Sequence, residues 1–142
     1  MIMADNRFNG AQTHEVGVYS IAEMGSDFAV SEHFTLDEFA CGDGSDVVLI
    51  HPKLIALLEA IRTHYGSPVF INSAYRSHQH NASIGGAKRS RHLYGFAADI
   101  RVVGIYPYEV SVKAEHLGAG GVGRYETFTH VDVYGVNRRW SK

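Results

Sequence analysis

The sequence predicts an α+β fold in which a small, mainly antiparallel sheet carries the functional residues and helices pack on one side. Three observations predict it. Residues 52–65 and 107–117 place apolar side chains at helical spacing. Residues 96–103 and 128–134 alternate with the period of two of a strand. The order of elements (helix, strand, loop, strand, helix, hairpin) lacks the regular alternation of a doubly wound parallel sheet.

The 142 residues amount to one ordinary domain, and 45% hydrophobic content is enough to bury a real core. Residues 1–30 have scattered Gly, Asn and Asp with no sustained period and read as an N-terminal extension; residues 31–142 read as the domain. A formal charge of −2 excludes the basic surface of a nucleic-acid binder. The single cysteine, Cys41, forms no intramolecular disulfide and reads as a buried structural thiol. The chain contains no apolar run long enough to span a membrane. Its opening, Met-Ile-Met-Ala-Asp-Asn-Arg, lacks the charged-then-apolar order of a secretion signal. A monomer without a leader is expected.

Within the extension, Val16–Ile21 is a candidate short strand. Thr35-Leu-Asp-Glu38 is a capping box that opens a short helix, with Phe34 and Phe39 as core anchors. The loop Gly42–Asp46 is acidic, but it lacks the twelve-residue spacing of a calcium loop. Pro52–Tyr65 is the clearest helix: Pro52 suits its first position, Leu54, Ile55, Leu57, Leu58 and Ile61 form its stripe, and Gly66 stops it. Val69–Asn72 is a strand that runs into Ser73-Ala-Tyr-Arg-Ser77. Residues 77–84 form a short helix stopped by Gly85-Gly86, and His78 and His80, two apart, do not share its face. Gly85–Arg91 is a flexible cationic loop that either lines a cleft for acidic peptides or is solvated. The strand 96–103 puts Ala97, Asp99 and Arg101 on one face and Phe96, Ala98, Ile100 and Val102 on the other. A second helix runs from Pro107 to Leu117. In the final hairpin, Phe128, His130, Asp132 and Tyr134 share a face, and Trp140 is expected to pack on the core.

The chemistry lies in Ser90-Arg-His-Leu-Tyr-Gly-Phe-Ala-Ala-Asp99 and the later His130-Val-Asp132. Imidazole nitrogen and carboxylate oxygen both suit Zn²⁺, and three protein ligands leave one position open, as in a catalytic zinc site. His92, Asp99 and His130 are the expected ligands of one zinc ion. Arg76 stands where a strand gives way to a loop. Its guanidinium can hold a carboxylate or an oxyanion, or form an ordinary surface ion pair.

The pattern Ser-x-His-x-x-Gly-x-Ala-x-Asp with a late His-x-Asp resembles the zinc D-alanyl-D-alanine carboxypeptidases, cell-wall peptidases that share a metal-site fold with hedgehog signalling domains. The resemblance runs from about Ser31 to Trp140. It includes Ser73-Ala-Tyr-Arg-Ser77, His80-Asn81, Gly85-Gly86 and Arg138-Arg-Trp140. It implies a hydrolase of peptidoglycan stem-peptide bonds, of carboxypeptidase or endopeptidase type, in which Zn²⁺ acidifies water and polarises the scissile carbonyl. It also implies substrate contacts from Arg76, Ser77 and His80.

Related branches carry a proton-transferring Glu three residues before the last ligand. Here that residue is Thr127, so Asp132, beside His130 on its strand, is the first candidate and Glu126 the second. A phage lysis or virion enzyme and a cellular wall-remodelling enzyme both fit. The competing class is a non-catalytic zinc module that binds peptidoglycan or protein. It is disfavoured because a structural zinc site usually has four protein ligands.

Overall fold

The computed structural model describes residues 8–135 and 137–142. The first seven residues of the expected extension lie outside it. The remaining part of that extension is tied to the rest: Phe8 and Ala11 are buried in the core, and the Ala11 amide donates to the carbonyl of Val133. Strand β1 (Gly17–Ser20) pairs antiparallel with β2 (Val47–Ile50) in a separate two-stranded sheet. The four-residue helix α1 (Ile21–Met24) follows β1, capped by the Ser20 hydroxyl. The Thr35 capping box forms as expected and opens a 3-10 turn over Leu36–Phe39.

Helix α2 (Pro52–Tyr65) has the predicted bounds. His51 caps it by accepting from the Lys53 amide, and Gly66, at φ 61°, ends it in the left-handed region. Leu54, Leu57, Leu58 and Ile61 are fully buried. Helix α4 (Pro107–His116) buries Val110 and Ala114, and the two helices contact each other as well as the main sheet. Between them lie β3 (Val69–Ser73), the short α3 (His78–Ser83), a 3-10 turn over Arg91–Tyr94 and β4 (Ala97–Val102). The chain ends with β5 (Gly121–Arg124), β6 (Thr129–Asp132) and β7 (Arg138–Ser141).

The five-stranded sheet has the order β3-β4-β6-β5-β7. Its neighbours are antiparallel except β5 and β7, which are parallel. One face of β4 and β6 supplies Ala98, Ile100 and Val131 to the core, while Ala97, Asp99, His130 and Asp132 occupy the other, as the alternation predicts. The register then lines up two rows across the sheet. One runs Ser73–Asp99–His130–Gly123–Trp140; the next runs Ala97–Asp132–Gly121–Arg138.

Strand β7 is not anticipated by the sequence reading, and Trp140 does not join the core. It is half-buried on the functional face, its ring centroid 5.0 Å from that of His130. Gly123 makes this possible, since a Cβ there would lie 2.5 Å from the indole ring.

Candidate metal centre

His92 sits on the 3-10 turn before β4, Asp99 in mid-β4, and His130 directly across from Asp99 on β6. All three are buried, and one donor atom from each lies within 4.8 Å of the others. His92 Nδ1 is 2.7 Å from the carbonyl of Ala74, which only accepts, so Nδ1 carries the proton and Nε2 is a bare lone pair. Nε2 points at Asp99, 3.3 Å from Oδ1. His130 Nε2 lies 2.9 Å from Asp132 Oδ2 and its Nδ1 3.0 Å from the same Asp99 Oδ1; in the neutral ring that donates to Asp132, Nδ1 is the lone pair a metal takes.

Two imidazole nitrogens and a carboxylate oxygen thus converge on one point, where a cation can join all three. Two imidazoles and a carboxylate are the donor chemistry that zinc accepts, and the group fits. Both imidazoles have their second nitrogen engaged, by a carbonyl and by a carboxylate, the arrangement that sets tautomer and ring angle in metal sites.

The electrostatics favour charged groups across this cluster. Burial pushes the Asp99 carboxyl up, but hydrogen bonding and charge from His130 and His92 outweigh it and hold Asp99 well below the usual carboxylate range. Burial pushes the His130 imidazole down, and Asp132 and Asp99 more than reverse that. Burial likewise pushes Asp132 up, and hydrogen bonding and charge from His130, together with the charge of Arg138, bring it below its ordinary value.

The ligands line a cleft of about 400 Å³. Arg76 lines it too, with Nη2 3.4 Å from Asp99 Oδ2, Nε bonded to Ser73 Oγ and Nη1 to Asn81 Oδ1. Asn81 is buried and also donates to the carbonyl of Ala87, which folds the Gly85–Arg91 loop onto the cleft. That loop supplies Gly85, Gly86, Ala87, Arg89, Ser90 and Arg91 to the wall. Tyr125, Arg138, Trp140 and Lys142 complete the lining. The sequence reading missed Tyr125. Its signal was only its place next to Glu126, and its hydroxyl accepts from Trp140 Nε1 at 3.1 Å.

Several expected site residues are placed elsewhere. Asp132 is wholly buried behind His130, on the nitrogen turned away from the donor cluster. Its Oδ1 accepts from Arg138 and from the amides of Gly121 and Tyr134, so no part of it faces the cleft. A Cβ on Gly121 would lie 2.2 Å from Asp132 Oδ2, so that position admits only glycine. Ser77 caps α3 and donates to Asp43 Oδ2 at 2.6 Å. His80 faces Gly42. Both fasten α3 to the Cys41–Ser45 loop and neither lines the cleft. Glu126 is exposed on the turn between β5 and β6.

A buried N,O,N donor set at the floor of an open cleft, on a small sheet with helices behind, suits a metal that keeps one position open. The chain belongs to the Peptidase M15 family, whose sequence profile matches residues 32–132. It is 38% identical over 99 residues to the probable peptidoglycan L,D-endopeptidase MepK of Haemophilus influenzae, covering 63% of this chain and 53% of that protein. It is 46% identical over 92 residues to the zinc D-Ala-D-Ala carboxypeptidase of Streptomyces albus G, covering 59% of this chain and 35% of the relative. Against the peptidoglycan L,D-endopeptidase MepK of Escherichia coli K12 it is 32% identical over 123 residues, 80% of this chain and 65% of that protein. The chain therefore spans less than two thirds of the length of each of these relatives.

Proposed function

We propose that this chain is a zinc-dependent peptidase that hydrolyses stem-peptide bonds of peptidoglycan. The observation that carries the reading is the convergence of His92 Nε2, Asp99 Oδ1 and His130 Nδ1, each freed for a metal by the partner of the atom beside it. The names of the relatives, a carboxypeptidase and two endopeptidases of the wall, support the substrate class.

Zinc bound there supplies Lewis acidity, which acidifies water and polarises a scissile carbonyl. The chain's own residues do the rest. Arg76, pinned by Ser73, Asn81 and Asp99, puts a fixed positive charge at the cleft floor for the substrate's carboxylate or the developing oxyanion. Trp140 and Tyr125 bound the cleft beside His130 and limit the water that reaches it. Asp132 acts as a positioning residue that keeps the His130 tautomer, not as the proton acceptor. We assign proton transfer to Glu126, the second expected carboxylate, exposed on the turn next in sequence to cleft-lining Tyr125.

The test is a mass-spectrometric digest of purified muropeptides with the zinc-loaded protein, with and without chelator. Loss of a terminal alanine, abolished by chelator, identifies a carboxypeptidase. Cleavage within the stem or of cross-linked dimers identifies an endopeptidase. No product from protein shown to hold zinc overturns the peptidase reading and leaves a binding module.

A further inference from the structure

The cleft is lined by five cationic side chains, Arg76, Arg89, Arg91, Arg138 and Lys142, against the single carboxylate of Asp99. Two of the five already have a carboxylate partner: Arg76 pairs with Asp99, and Arg138 with buried Asp132. Arg89 and Arg91 have no carboxylate partner among the described residues.

Arg91 is nonetheless held in place. Its guanidinium carbon lies 3.7 Å from the centroid of the Tyr134 ring, which stacks in turn on Phe96 with centroids 5.5 Å apart. Stacking occupies the face of a guanidinium and leaves its N–H edge free, the geometry that binds a carboxylate bidentately. The Arg138 guanidinium stands 5.9 Å from the same ring, so like charge accumulates at one place in the cleft. Such an arrangement costs the free protein repulsion that an anion relieves.

We propose that Arg89 and Arg91 form a carboxylate subsite, separate from Arg76, that selects peptides carrying a second free carboxylate near the scissile bond. The proposal rests on the peptidase reading for its substrate class. A residue joined through its side chain supplies such a group, because its α-carboxylate stays free. Amidation of that carboxylate removes the charge and turns part of the acceptor into a donor, which faces only donors on the two arginines.

The experiment compares two synthetic stem-type peptides that differ only in a free carboxylate or a carboxamide at that position. Dissociation constants are measured calorimetrically on the zinc-loaded protein, and KM and kcat in a cleavage assay. The free acid should bind roughly tenfold to a hundredfold more tightly, the range set by charge-assisted hydrogen bonds. The advantage should appear in KM and shrink at high salt.

In Arg89→Gln/Arg91→Gln the two peptides should bind alike, at the amide's affinity. Arg89→Gln alone, on an exposed side chain, should lose part of the preference, and this keeps the test decisive if the double variant does not fold. Equal binding of both peptides by the parent protein overturns the subsite, as does a preference that survives in the double variant. Turnover of neither peptide overturns the peptidase reading, while the ratio of dissociation constants still decides the subsite.

Discussion

Asp132→Asn separates two roles for the same carboxylate. In the structure Oδ1 accepts from the Gly121 amide at 3.0 Å, the Tyr134 amide at 3.1 Å and Arg138, while Oδ2 accepts from His130 Nε2 at 2.9 Å. An asparagine is isosteric, and its carbonyl can keep only one of these two sides. The Oδ1 side offers three donors, so the amide nitrogen turns to His130. There an N–H would meet an N–H, and the imidazole must move its proton to Nδ1, the atom needed for the metal. Lost outer partners of metal-bound histidine cost about tenfold to a hundredfold in metal affinity, roughly 1.4–2.8 kcal/mol. Folding keeps the bond to Arg138 but loses the carboxylate's charge in it, a part of the roughly 1.5–3 kcal/mol of a charge-assisted bond. Zinc affinity is read by competition with a chromophoric chelator, kcat at saturating zinc, and stability by urea denaturation. The expected result is weaker zinc binding with kcat largely recovered at saturation. Zinc affinity equal to the parent's, with a collapse in kcat alone, would refute the positioning role and return Asp132 to proton transfer.

The converse holds for Glu126→Gln. It should lower kcat by about 10²–10⁴-fold with zinc affinity unchanged, and normal turnover would remove Glu126 from the mechanism. His92→Ala should reduce zinc content measured by atomic emission; a full equivalent retained would place the metal elsewhere. Gly123→Ala puts a methyl 2.5 Å from the Trp140 ring. It should cost about 1–3 kcal/mol in urea denaturation and quench or shift the emission of the single tryptophan, whereas an unchanged spectrum would show that β7 yields freely.

Glu59 gives a pH signature. Burial raises its carboxyl, but hydrogen bonds from the Ser31 hydroxyl and from His33 bring it below the ordinary 4.5. A depressed folded pKa adds stability above the unfolded value, and that stability is lost as pH falls through the folded one. The parent should therefore lose its margin over Glu59→Gln on acidification below about 4.5. A margin independent of pH would show the pairing to be idle.

What is local in this protein is legible in its sequence. Pro52, the Leu54–Ile61 stripe and Gly66 determine α2 from start to stop, because helix capping and periodicity act over a few neighbouring residues. The period of two along β4 and β6 separates Asp99 and His130 from Ile100 and Val131, because alternation is a property of the extended chain itself. Position 127 holds a threonine where the family resemblance implies a carboxylate, so the proton-transferring group is not legible there.

Tertiary structure alone decides which strands lie side by side and in what register. Nothing local places Gly123 beneath Trp140, aligns Asp99 with His130, or lays β7 parallel to β5. Sharing a face is also weaker than facing a substrate. Asp132 shares the face of His130, yet three donors on its far oxygen draw it into the sheet, while Ser77 is turned to the Cys41–Ser45 loop by its cap and by the Asp43 carboxylate. These outcomes depend on hydrogen-bond partners far apart in the chain, and a buried polar group goes where its partners are, which only the folded register determines.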